Sequence, residues 1–158
     1  MNPMKITSSY AMKLTGDLKS LENSIRIYRE ALRFIIPIVD AHWDELMDFE
    51  YTKQRMTHTE KLIHSTDENQ ARYNFDEEFP KFPSYLRRAV LNLALGIVSS
   101  YRSNLANWEK DPKGQAPQLS FNHYAYPAYY KNNLFRNFDP VKQTVELKVF
   151  KNGDWVYE

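Results

Sequence analysis

Apolar residues recur at two different spacings in this chain, and the change from one to the other divides it into three stretches. Over residues 5–14, Ile6, Tyr10, Met12 and Leu14 share one parity while Lys5, Thr7, Ser9 and Lys13 share the other. A period of two is that of a half-buried strand. Thr15-Gly16 ends it, and Asp17 is suited to cap a helix. From Leu18 the period becomes 3.6. Leu18, Leu21, Ile25, Tyr28, Leu32, Ile35 and Ile36 make one apolar stripe, which Pro37 is expected to kink before it continues through Val39, Trp43, Leu46 and Met47. A short helix is expected over Thr52–His64, a polar loop over Ser65–Gln70, and an extended packed connection from Asn74 to Pro83. Ser84 is read as the cap of a long helix carrying Leu86, Val90, Leu93, Ile97, Tyr101, Leu105 and Trp108, with Gly96 marking a close helix–helix approach. Asp111-Pro112-Lys113-Gly114 stops it. After Pro117 the period returns to two, in 118–123 and more strongly in Val141–Phe150. Asn152-Gly153 then predicts a type I′ hairpin turn, because both residues tolerate a positive φ.

These 158 residues suffice for one domain, or one divided domain. A formal net charge of +1 excludes a polycationic tail, so a nucleic-acid surface must be a local patch. Residues 17–50 hold 8 acidic against 4 basic side chains, while 81–113 hold 6 basic against 2 acidic. The second segment is therefore the better candidate to lie along phosphates. With no cysteine, disulfides, thiolate zinc and cysteine nucleophiles are excluded. The longest apolar run, Phe34–Val39, falls far short of the roughly 20 residues of a membrane span. No membrane partner and a cytoplasmic location are expected. Four glycines are too few for a Gly-rich phosphate loop, and no small-molecule substrate is evident. Because the second hairpin arm would stop after four residues at Glu158, the chain reads as the front piece of a longer protein.

The chemistry-bearing residues are unevenly placed. His42, His58, His64 and His123 form no His-x-x-x-His pair, and Gly-x-Ser-x-Gly is missing. His42 with Glu45, and Asp40 with Asp44, sit at helical contact spacing; Asp40, Asp44 and Glu45 could serve a metal-dependent DNA-processing enzyme, although a solvated acidic face is the far commoner explanation. No catalytic residue is assigned. The richest tract is 122–138, with Tyr124, Tyr126, Tyr129, Tyr130, Lys131 and Arg136 among asparagines and phenylalanines. Aromatic faces stack on bases and interleaved cations neutralise phosphates; the same rings could instead fill a small barrel or dock a protein partner. Arg87, Arg88 and Arg102 form a second basic patch on the long helix.

Phe79-Pro80-Lys81-Phe82-Pro83-Ser84-Tyr85-Leu86-Arg87-Arg88, then 96–108, Asn122-His123-Tyr124 and Val149–Trp155, resemble the N-terminal part of insertion-sequence transposases of the OrfB/TnpB type. The resemblance implies an α+β fold: a small antiparallel, wedge-like β-barrel with an inserted α-helical lobe. Residues 1–16 would be the first barrel strand, 17–114 the helical recognition lobe and 115–158 the remaining strands. It further implies the nucleic-acid-binding front of an RNA-guided nuclease, with DNA and a structured guide RNA as partners. Arg87, Arg88 and Arg102 would hold phosphates, and Tyr124, Tyr126, Tyr130, Lys131 and Arg136 would make stacking and backbone contacts. No cofactor is expected in this chain, since divalent metal and zinc would belong to downstream domains. The rival readings are a non-catalytic protein-interaction module and the metal-dependent enzyme above.

Overall fold

The stripe that begins at Leu18 forms a helix because its apolar positions fall on one side of a 3.6-residue repeat. In this computed structural model, which describes residues 3–158, that helix is α1 (Lys19–Ala41). It is followed by α2 (Trp43–Met47), α3 (Thr52–Ile63), α4 (Phe75–Glu78) and α5 (Ser84–Lys110). Three strands close the chain: β1 (Phe135–Asp139), β2 (Thr144–Lys151) and β3 (Asp154–Tyr157). Met1 and Asn2, at the start of the expected first strand, lie outside the described residues.

α1 continues without a break through Pro37 and is interrupted at His42. Proline deprives the Arg33 carbonyl of a donor, but both residues are exposed, so water replaces the bond. At the interruption the His42 ring lies 2.7 Å from a Glu45 carboxylate oxygen and 2.9 Å from the Tyr73 hydroxyl.

α5 packs on α1, which also packs on β2, so α1 is the central element. Leu32, Ile35, Ile36 and Val39 of α1 meet Leu86, Val90, Leu91, Ala94, Leu95 and Val98 of α5 in one buried cluster. The buried face of α5 is thus rotated from the expected stripe, with Leu91 and Leu95 inside and Leu93 and Ile97 only half-buried. Pro83, rather than Ser84, stands at the N-cap of α5, and no side chain caps that end. The connection 74–83 is not wholly extended. It makes the single turn α4, and its Phe75, Phe79 and Phe82 rings pack edge-on in a chain that reaches Trp155, with Phe82 and Trp155 centred 5.6 Å apart.

Gly96 is exposed, and a Cβ built on it meets nothing within 4 Å. No helix approaches closely there, contrary to expectation. Gly96→Ala is therefore expected to stabilise the protein by about 0.5–1 kcal/mol, since it removes backbone freedom from the unfolded chain at no steric cost. A urea midpoint equal to or below that of the parent would contradict this placement.

The sheet corrects the expected architecture. β1, β2 and β3 form an open antiparallel meander, with Phe135 opposite Leu147 and Lys151 opposite Asp154. The Asn152-Gly153 turn has φ of 53° and 80°, as the type I′ reading requires. A barrel would need residues 5–14 to join the two outer strands. They do not: 5–14 form no strand, and Ile6, Tyr10 and Met12 are 76–85% exposed. Only the end of this segment, Lys13 to Thr15, comes beside β2. Residues 118–123 form no strand either, and Val141, read as the start of a strand, lies in the turn before β2. Asp139 holds that turn by accepting from the Val141 and Lys142 amides. The Ser24 hydroxyl accepts from the Phe150 amide at 2.8 Å, tying the sheet to α1.

Candidate nucleic-acid interface

Three arginines of α1, Arg26, Arg29 and Arg33, follow the i, i+3, i+7 spacing that places side chains on one helix face. An extended segment crosses beside that face. Over 123–130 the odd-numbered residues are half-buried and the even-numbered ones exposed. Ala125 and Tyr129 thereby reach the core, while Tyr124, Tyr126 and Tyr130 stand outward. The Tyr129 hydroxyl anchors the segment by donating to the Lys148 carbonyl at 2.9 Å, and burial pushes its pKa up to about 12.

Arg29 joins the two elements. Its Nε donates to the Ala125 carbonyl at 2.9 Å, and its guanidinium carbon lies 4.0 Å from the Tyr124 ring centre and 4.7 Å from that of Tyr126. Cation–π attraction holds such an arrangement together. Its Nη2 is buried without a hydrogen-bond partner, the only such side-chain nitrogen or oxygen among the described residues. Arg26 is committed to Glu30 and to the Asn23 side-chain oxygen. Arg33 is exposed and makes no ion pair among the described residues. Arg26, Arg29, Glu30 and Arg33, with residues 121–124, line an open cleft of about 350 Å³.

The other expected site residues lie elsewhere. Arg87 is buried, its Nε donating to Glu60 at 3.0 Å, while the half-exposed Arg88 stands 3.8 Å from the same carboxylate. Arg102 donates twice to an Asp40 carboxylate oxygen, at 2.9 and 2.6 Å, and once to the Asp40 carbonyl. Arg136 bonds Glu146 at 3.0 Å and lies over the Tyr157 ring, 3.9 Å from its centre. Asn137 and Arg136 both donate to Glu146 and hold its carboxyl below the usual glutamate range. Tyr130 packs against Tyr85 at the start of α5, with Lys131 next to it in an exposed turn. The structure thus gathers Tyr124 and Tyr126 at one site and leaves Arg87, Arg88, Arg102 and Arg136 paired with acids.

Asp40, Asp44 and Glu45 do not converge on one centre. Asp40 is taken by Arg102, and Glu45 bridges His42 at 2.7 Å and His58 at 2.6 Å, bonds that lower its carboxyl pKa. No group of three or more His, Asp or Glu side chains able to hold a metal occurs among the described residues. No helix among them is long and apolar enough to cross a membrane.

Sequence reasoning missed Arg26, Arg29 and Arg33. Its charge count averaged all of 17–50, in which five acids after Pro37 (Asp40, Asp44, Glu45, Asp48 and Glu50) mask three arginines before it. The available signal was their 3.6-residue phase.

The fold and this surface define a small α+β protein whose described residues form five helices, an open three-stranded sheet and an exposed arginine–tyrosine cleft. The chain belongs to the Aq_aa04 family, whose model matches residues 6–151. No curated protein and no solved structure matches it.

Proposed function

We propose that this protein binds nucleic acid at the cleft between α1 and the 121–126 segment, with Arg29 and Arg33 receiving phosphates. The observation that carries this reading is the Arg29 guanidinium, fixed by Ala125 and two tyrosines yet left with one nitrogen unpartnered. An unpaired buried donor costs about 1–3 kcal/mol, and an anionic oxygen relieves that cost while neutralising the charge. The tyrosines that cover the guanidinium are largely exposed, so their rings are free to turn and admit an acceptor. The wider reading, a front region of an OrfB/TnpB-type RNA-guided nuclease acting on DNA with a guide RNA, is supported by the resemblance of the central residues. It must do without the barrel.

The test is anisotropy of a labelled oligonucleotide of about 16 nucleotides, the upper end of known single-fold site sizes. Binding should weaken steeply between about 50 and 200 mM salt. Arg29→Ala and the exposed Arg33→Ala should each lower affinity and reduce the logarithmic salt slope by about 0.7–0.9. Binding that ignores salt and both substitutions overturns the proposal.

A further inference from the structure

Resting on the nucleic-acid reading above, we infer that the ligand of this cleft is an unpaired strand, RNA or DNA, and not a duplex. Three observations point the same way, and the first concerns shape. A bare α-helix, about 10–12 Å across, just fills the major groove of about 12 Å. The arginine face of α1 is not bare, because the 121–126 segment is bonded along it through Arg29 and Ala125. The combined ridge is too wide to enter a groove.

The second observation is the number of charges. Arg26 and Arg33 are seven residues apart, about 10 Å of helix. Within that length there are three arginines, one of them paired with Glu30. Duplex binders that rely on charge use roughly 6–10 phosphate contacts. Two or three contacts cannot hold a duplex at physiological salt, so another source of affinity is required.

The third observation supplies that source. Tyr124, which lines the cleft, is 82% exposed and Tyr126 beside it 65%, with ring centres 6.0 Å apart. In a duplex the faces of the bases are covered by their neighbours, so two protruding tyrosines have nothing to stack on. In an unpaired strand every base offers a face, and each stack contributes about 1–3 kcal/mol whatever the sequence. A strand can seat a phosphate on Arg29 and Arg33 and lay the adjoining bases on the two rings.

The experiment titrates the full chain against three labelled ligands of equal length: oligo-dT, oligo-U and a mixed-sequence DNA duplex. Both single strands should bind at least ten-fold more tightly than the duplex at the same salt. Tyr124→Ala with Tyr126→Ala should cost at least five-fold in single-strand affinity, the low end for one lost stack. Both side chains are exposed, so the folded state should survive, as an unchanged melting curve would verify. A preference of oligo-U over oligo-dT, or the reverse, identifies which strand chemistry the site reads. Equal or tighter duplex binding, or an unaffected tyrosine variant, overturns the single-strand inference and leaves the nucleic-acid reading standing. Absence of binding to all three ligands overturns both.

Discussion

Phe75→Ala should lower the unfolding free energy by about 3–5 kcal/mol, the usual range when a buried phenylalanine is truncated. Phe75 is fully buried, and its ring centre lies 5.8 Å from Phe34, 4.9 Å from Phe79 and 5.5 Å from Phe82. The space it vacates is lined by three rings already packed on one another, so it closes only in part. The loss also spreads. Phe82 is the ring that meets Trp155, so loosening it also weakens one of the contacts between the sheet and the helices. Total stability of a domain is about 5–15 kcal/mol, so the variant should be close to unfolding at 37 °C. Urea unfolding followed by tryptophan fluorescence measures the effect. A loss below about 1 kcal/mol would mean that the phenylalanine cluster does not join the two halves.

Arg87→Met should cost about 3 kcal/mol, for a different reason. The Arg87 side chain is 8% exposed and that of its partner Glu60 17%. Methionine fills the space but leaves a carboxylate with little water and without its direct cation partner, the costly way to break a buried pair. Arg88, 3.8 Å from the same oxygen, relieves part of that cost. Replacing both partners, Arg87→Met with Glu60→Leu, should recover most of the stability, because no charge is then left behind. If the single substitution is silent and the double one is not better, the pair is not structural. Arg87 would then be available for the phosphate contact that its place in the sequence suggested.

What could be read from the sequence was mostly local. The Asn152-Gly153 turn depends on two residues with positive φ, and it folds as expected. The long helices follow from a repeat that one element satisfies by itself. Strands are different. Alternation states which way side chains point and says nothing of what the backbone bonds to. In 5–14 the pattern is present and no strand pairs with it; in 123–130 alternate residues are half-buried, yet the segment is held by side chains and not by a ladder. The expected barrel depended on those missing ladders.

At the candidate site, the tyrosines were legible because their density is unusual. Their cation was not. Arg29 and Ala125 are 96 residues apart, and only the fold brings them together. Arg87 and Arg102 show the converse: their positions on α5 drew attention, and acids from α3 and α1 meet them there.

Where an oligonucleotide lands is reported directly by backbone amide shifts of the isotopically labelled full chain, followed through a titration with unpaired oligo-dT. Changes should concentrate in residues 26–33 and 121–126, with the amides around Arg87, Arg88 and Arg136 unmoved. Changes centred on the Arg87–Arg88 turn of α5 or on β1, with the α1 arginines silent, would contradict this placement.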